Sequence, residues 1–216
     1  MSQSDRLRIT EIFLSLQGES VTSGLPTVFV RLTGCPLRCQ YCDTEYAFQG
    51  GMWWSIAEIV ARVRELGVRY VCVTGGEPLA QKACKPLLSS LCDQGLNVSL
   101  ETSGALSIEG VDSRVSRVMD LKTPGSGEVS KNRFGNIALL NQHDQVKFVL
   151  CSREDYQWAK SILEKYALIG RLEILFSVSY GQLMPRELAE WILEDQLNVR
   201  FQIQLHKLLW DDEPGH

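Results

Sequence analysis

No stretch of the 216-residue chain approaches the roughly 18 consecutive apolar residues that a membrane helix needs, and its start, MSQSDRLRIT, lacks the apolar run of a signal peptide. Neither a membrane partner nor export is therefore expected, and the cytoplasm, a reducing compartment, is the default. An excess of positive charge is also lacking. A formal net charge of -4 and a pI of about 5.5 give no field to hold phosphate backbones, so direct nucleic-acid binding is not expected, and a small polar or anionic substrate is. Pro-rich and Gly/Ser-rich linkers, charge blocks, low-complexity tracts and internal repeats are all missing, which predicts one domain over residues 1–216. With 44% hydrophobic and 22% charged residues, the composition suits a single globular core.

Short β-branched runs predict strands at 8–14, 27–32, 69–74, 97–101, 115–121, 145–150, 171–177 and 199–205. Helices fall between several of them. Ser55-Ile-Ala-Glu58 is a capping box ahead of a helical stripe, Ile56, Ile59, Val60, Val63 and Leu66, that stops at Gly67. Ser152 with Asp155, and Pro185 before Leu188, Trp191 and Ile192, open two more. Alternating strands and helices imply βαβ units and a largely parallel α/β sheet, with too few strands for a full eight-stranded barrel.

In such folds ligands sit beyond the carboxyl ends of the strands. Six predicted exits are polar or glycine-rich: Gly34-Cys35, Thr74 to Pro78, Glu101 to Gly104, Asp120 to Lys122, Ser177 to Gly181, and His206-Lys207. Convergence of these exits on one face is the expected site.

Of seven cysteines, three crowd into eight residues: Cys35-Pro-Leu-Arg-Cys39-Gln-Tyr-Cys42. That spacing fits metal or cluster ligation better than a disulfide framework. No fourth Cys or His lies nearby, so two readings stay open. One is an iron-sulfur cubane held by three thiolates with one iron left open; the other is a zinc completed by a distant residue such as His206 or Cys72. Cys72, Cys84, Cys92 and Cys151 are scattered and read as small hydrophobes, and Trp53-Trp54 read as packing residues.

The Cys-x3-Cys-x2-Cys loop with Tyr41 before its last cysteine resembles the radical S-adenosylmethionine (SAM) enzymes, and Gly75-Gly76-Glu77-Pro78 one βα unit later strengthens the likeness. On its own that second segment is also readable as a Gly-Gly turn into a helix. Leu16-Gln17-Gly18-Glu19, Arg31, Cys42-Asp43-Thr44, Glu101-Thr102-Ser103-Gly104 and His206-Lys207 narrow the resemblance to the 7-carboxy-7-deazaguanine synthases. It runs from Ile9 to Lys207. The resemblance implies an incomplete, TIM-like radical SAM barrel that forms homodimers and depends on magnesium. Its reaction converts 6-carboxy-5,6,7,8-tetrahydropterin to 7-carboxy-7-deazaguanine with loss of ammonia, on the route to queuosine. A 5'-deoxyadenosyl radical made by reductive cleavage of SAM would initiate it, with a reductant such as flavodoxin supplying the electron.

Carried over position by position, the resemblance assigns a [4Fe-4S] cluster to Cys35, Cys39 and Cys42. It assigns SAM to Tyr41, Cys42, Asp43, Gly75, Gly76, Glu77, Gly104, Asp120 and Lys122, and Mg2+ to Thr44. The pterin falls to Leu16, Gln17, Gly18, Glu19, Arg31, Thr102 and His206. The residue chemistry agrees: Glu19 suits the donor edge of a pterin, Arg31 and a hard cation suit its carboxylate, and Glu77 can accept from an ammonium. Plainer readings stand beside these. Arg31 can be a surface ion-pair partner, His206 a structural histidine, Glu19 a loop acid, and Thr44 a turn residue bonding its own backbone.

Two segments depart from the family pattern, Asp120 to Gly127 in place of Ser-Pro-Lys and Ser177 to Gly181 in place of Gln-Pro-Met. The chain also runs on past Trp210 to His216, so no terminal-carboxylate contact with substrate is expected. Two rivals remain: a glycyl-radical-enzyme activase, which needs a broad apolar docking face, and a non-catalytic zinc- or cluster-binding module.

Overall fold

The computed structural model describes residues 5–211 and residue 215. The C-terminal expectation at His216 lies outside the described residues. Nine strands form one sheet: β1 (Arg6–Leu16), β2 (Pro26–Leu32), β3 (Met52–Ser55), β4 (Tyr70–Gly75), β5 (Asn97–Thr102), β6 (Ser116–Asp120), β7 (Gln145–Leu150), β8 (Glu173–Val178) and β9 (Arg200–Gln202). Their order is β3-β1-β2-β4-β5-β6-β7-β8-β9. β1 pairs antiparallel with β2 and β3, and every pairing from β2 through β9 is parallel. The sheet does not close on itself, which makes it the partial α/β barrel expected from the strand count.

Helices α1 (Ile56–Glu65), α2 (Cys84–Asp93), α3 (Arg153–Lys165) and α4 (Pro185–Glu194) cross between strands, and a short α5 (Leu205–Trp210) ends the described fold. The Ser55–Glu58 capping box forms in both directions, at 3.2 and 2.7 Å. Ser152 caps α3 through the Asp155 N–H at 3.4 Å, and Pro185 is the first residue of α4. No helix among the described residues is long and apolar enough to cross a membrane.

Alternation along β2 sorts the two faces of the sheet. Val28, Val30 and Leu32 are fully buried in the apolar core, while Phe29 and Arg31 turn to the opposite side. Cys72, Cys84 and Cys92 join the core as small hydrophobes; Cys151, at the β7 exit, is only half-buried.

All eight expected strands are present, with two corrections. The last is cut to Arg200–Gln202, because the Leu205 N–H bonds the Gly18 carbonyl at 3.2 Å instead of continuing a ladder, and the chain then turns into α5. The unexpected β3 is an edge strand on β1. It leaves Trp53 exposed and only Trp54 packed on the core, so the expectation of two packing tryptophans holds for one.

Candidate active site

The six expected strand exits, joined by β7, line a single cavity of about 570 Å³. That size is ordinary for a small-molecule site. The loop between β1 and β2 closes it from the far side of the open sheet. The Ser20 N–H donates to Gln202 Oε1 at 3.0 Å, Gln202 Nε2 donates back to the Ser20 carbonyl at 2.7 Å, and the Val21 N–H reaches Gln145 Oε1 at 2.9 Å. Two glutamines on β7 and β9 thereby hold a strap across the gap left by the missing strands.

Cys35, Cys39 and Cys42 all line the cavity from the loop after β2, each half-buried and free of disulfides. That loop is pinned from outside, by the Gln40 N–H on the Ser126 carbonyl at 3.0 Å and the Arg38 N–H on Glu128 Oε1 at 2.6 Å. Burial pushes the Cys39 thiol up to about 11, with Asp120 and the two neighbouring thiols adding to the rise and Lys122 opposing it. A bound cationic centre would reverse that balance. Three thiols on one short loop fit the ligand set of a cluster with one open iron. Cys72 lies in the core outside the cavity lining and is not placed to complete a zinc site, whereas His206 lines the cavity with the three thiols.

Gly76 carries the β4 exit against this loop. A Cβ there would meet the Gly34 carbonyl oxygen at 2.4 Å and Cys35 Cβ at 2.7 Å. The glycine pair thus serves contact between two loops as much as approach of a ligand. Tyr41 Oη and Asp120 Oδ1 are buried without a partner, and both residues line the cavity. Such orphaned atoms call for a polar ligand. Asp120 Oδ2 accepts from Lys122 Nζ at 2.5 Å, and Lys122 stays charged because Asp120, Tyr41 and Cys39 outweigh the cost of its burial.

Glu77 and Gly104 do not line the cavity. Glu77 is fully buried and accepts from four donors: the Leu79 N–H at 2.9 Å, the Thr102 hydroxyl at 2.9 Å, and the Ser103 N–H and hydroxyl at 2.7 and 2.5 Å. Four donors fill the lone-pair directions of a carboxylate. Glu77 ties the β4 exit to the β5 exit behind the cavity wall. The Thr102 hydroxyl proton is spent on Glu77, so Thr102 offers the cavity an acceptor.

Six further predicted residues share the lining. Leu16, Gln17, Gly18, Glu19, Arg31 and His206 all line the cavity. Gly18 packs against His206, where a Cβ would come within 2.6 Å of Nδ1. Glu19 is paired with Lys147 at 2.7 Å and accepts more weakly from the Ser177 hydroxyl at 3.4 Å. Thr44 Oγ1 donates to Asp43 Oδ1 at 2.7 Å, and Gln204 Nε2 donates to Oδ2 at 2.9 Å. Burial would raise the Asp43 pKa, but these bonds and the charges of Lys207 and Lys147 hold it below the usual carboxylate range. A magnesium ion at Thr44 Oγ1 would have the Asp43 carboxylate beside it and would take the rest of its octahedron from water and ligand oxygens.

Sequence reasoning gave no role to Lys147 or Glu101. Lys147 lies on β7 between buried Val146 and Phe148, and a lone lysine in such a run was the available signal. Burial disfavours its charge, yet Glu19, Asp120 and Glu101 keep the ammonium well above its ordinary value. Glu101 accepts from the Thr74 hydroxyl at 2.9 Å and from Gln17 Nε2 at 3.5 Å.

Residues 29–121 match the model of the Radical SAM superfamily. The 7-carboxy-7-deazaguanine synthase of Chlorobaculum tepidum is 46% identical, covering 99% of this chain and 98% of its own. That of Koribacter versatilis is 40% identical over 96% and 98%. The crystal structure of QueE from Escherichia coli superposes with a TM-score of 0.74 at 24% identity, over 93% of this chain and 95% of that one, a likeness of fold. With near-full-length identity at this level, the chain belongs to the 7-carboxy-7-deazaguanine synthase family of radical SAM enzymes.

Proposed function

We propose that this enzyme contracts the ring of 6-carboxy-5,6,7,8-tetrahydropterin to 7-carboxy-7-deazaguanine with loss of ammonia, in queuosine and 7-deazapurine biosynthesis. The observation that carries the reading is one cavity lined by two chemistries: three thiols with the Gly75-Gly76 exit, and the charged and polar side chains of Arg31, Glu19, Glu101, Lys147 and His206. Substrate and product differ by one ammonia, so the conversion needs initiation but no net oxidant. The polar wall also speaks against an activase, which would need an apolar docking face at the same place.

Cys35, Cys39 and Cys42 would hold the [4Fe-4S] cluster. Tyr41, Cys42, Asp43, Gly75, Gly76, Asp120 and Lys122 would line the SAM side, with Glu77 and Gly104 supporting it from behind, and Thr44 would meet magnesium. When bound, cluster and SAM supply the one-electron cleavage that yields a 5'-deoxyadenosyl radical. The protein's own share is binding and orientation. Arg31 takes the pterin carboxylate, while Glu19, Glu101 and the Thr102 oxygen accept from its donor edge. Lys147, paired with Glu19 at 2.7 Å, holds that carboxylate in place beside the substrate, and Phe13 with Phe29, their rings stacked at 5.1 Å, forms an apolar wall. Residues 1–216 act as a single domain, supported by the one sheet that holds all nine strands. A homodimer, a flavodoxin-type reductant and a cytoplasmic setting complete the proposal.

Two measurements test it. Ammonia released should equal pterin consumed, and release without pterin loss would contradict the reaction. Arg31→Ala should weaken binding of the carboxylated pterin by about 100-fold, the scale of a lost charge-assisted pair. An unchanged affinity in equilibrium titration would remove Arg31 from the site.

A further inference from the structure

β1 changes face partway along its length. Leu7 and Ile9 point into the apolar core, and the next odd-numbered residues would follow them if the strand ran regularly. They do not. The register moves from Ile9 opposite Leu32 to Glu11 opposite Arg31, two steps on β1 against one on β2, so Thr10 is a bulge. Its hydroxyl pairs with that of Thr33 at 2.7 Å. Beyond the bulge, Phe13 faces the cavity with Phe29, and Ile12 packs on the core instead. Bulges of this kind re-aim side chains beside active sites.

The residue re-aimed most directly is Glu11. It stands across from Arg31 and accepts from Nε at 2.7 Å, using the same oxygen that accepts from the Tyr46 hydroxyl at 2.7 Å. The guanidinium carbon lies 5.7 Å from the Phe13 ring centre and 5.8 Å from that of Tyr46. Arg31 is thus held at Nε and flanked by two rings, and both terminal nitrogens have no partner among the described residues. A guanidinium held in this way presents its free fork to a planar anion.

We infer that Glu11 is a positioning residue, which fixes the Arg31 guanidinium so that its two terminal nitrogens meet a substrate carboxylate together. This rests on the reading of Arg31 given above. Glu11 itself does not touch the ligand; it sets the angle of the group that does.

The test uses anaerobically reconstituted enzyme with SAM bound and no reductant, so that binding is measured without turnover. Two probes are titrated, 6-carboxytetrahydropterin and tetrahydropterin lacking the carboxylate. Glu11→Ala should weaken the carboxylated ligand by about tenfold while leaving the other within about twofold, since only the fork is misaimed. Glu11→Gln retains an oxygen for Nε and should stay within about threefold of wild type for both ligands. Combining Glu11→Ala with Arg31→Ala should cost no more than Arg31→Ala alone. Equal loss for both ligands, no loss in Glu11→Ala, or a Glu11→Gln loss as large as that of alanine would overturn the inference. If Arg31→Ala itself binds the carboxylated ligand normally, the reading of Arg31 fails first, whatever Glu11 does.

Discussion

Replacing Cys39 with alanine should abolish turnover and leave a protein that no longer holds a full complement of iron. Three thiols line the cavity, and the protein offers no spare one: Cys72, Cys84 and Cys92 are locked in the core, and Cys151 lies at the β7 exit outside the lining. A cluster held by two thiolates leaves two irons unprotected in place of one. The loop itself should survive the change, because the bonds from Gln40 to Ser126 and from Arg38 to Glu128 do not involve the thiol. Iron and sulfide analysis, visible absorption and turnover are read together with thermal unfolding of the metal-free protein. The expected result is loss of the first three with an unchanged unfolding midpoint. Full turnover by the variant would sink the cluster assignment.

Glu77→Ala should be among the most destabilising single changes in the chain. Removing the carboxylate strands the Leu79 and Ser103 N–H groups and the Thr102 and Ser103 hydroxyls in the interior. Each unsatisfied group costs about 1–3 kcal/mol, and since the losses are not additive the total is roughly 4 kcal/mol. Against a typical stability of about 5–15 kcal/mol that is a large fraction. For a chain of this size it corresponds to a fall of roughly 10 °C in the unfolding midpoint. Glu77→Gln keeps one acceptor oxygen but turns an NH2 toward other donors, so a smaller fall is expected. Thermal unfolding of cluster-free protein isolates this effect from cofactor loss. A midpoint within about 1 °C of wild type for the alanine variant would show that water replaces the carboxylate and that Glu77 does not tie the two exits together.

The strands were legible because in a parallel sheet buried on both faces each one reads as a compact apolar run, as in Val28 to Leu32 and Glu173 to Val178. β3 escaped because four residues after Gly50-Gly51, two of them tryptophan, carry no alternation to detect. The last strand was overextended for a different reason. Phe201 to Leu205 has strand composition, but Gln202 spends its amide on the β1–β2 loop and Leu205 bonds Gly18, so tertiary contacts decide where the ladder ends.

The site followed the same division. Cys35, Cys39, Cys42, Gly75 and Gly76 are legible as local motifs, since their chemistry is written in spacing. The orientation of Glu77 was not local: it is decided by Thr102 and Ser103, 25 and 26 residues away. Lys147 and Glu19 are 128 residues apart and meet only because the β1–β2 loop straps the open barrel. The bulge at Thr10 leaves one trace in the sequence, the shift of apolar positions from Leu7 and Ile9 to Ile12.

On the proposed reaction this cavity turns a carboxylated tetrahydropterin into a deazapurine, and the hydrogen taken by the 5'-deoxyadenosyl radical is given back, so SAM is not consumed. The most direct test is anaerobic incubation of the reconstituted enzyme with SAM, dithionite, magnesium and 6-carboxytetrahydropterin, with all species followed by mass spectrometry. The expected result is 7-carboxy-7-deazaguanine in many-fold excess over enzyme, with the SAM pool undiminished. Accumulation of 5'-deoxyadenosine at the expense of SAM without that product would contradict it, leaving a radical SAM enzyme whose substrate lies elsewhere.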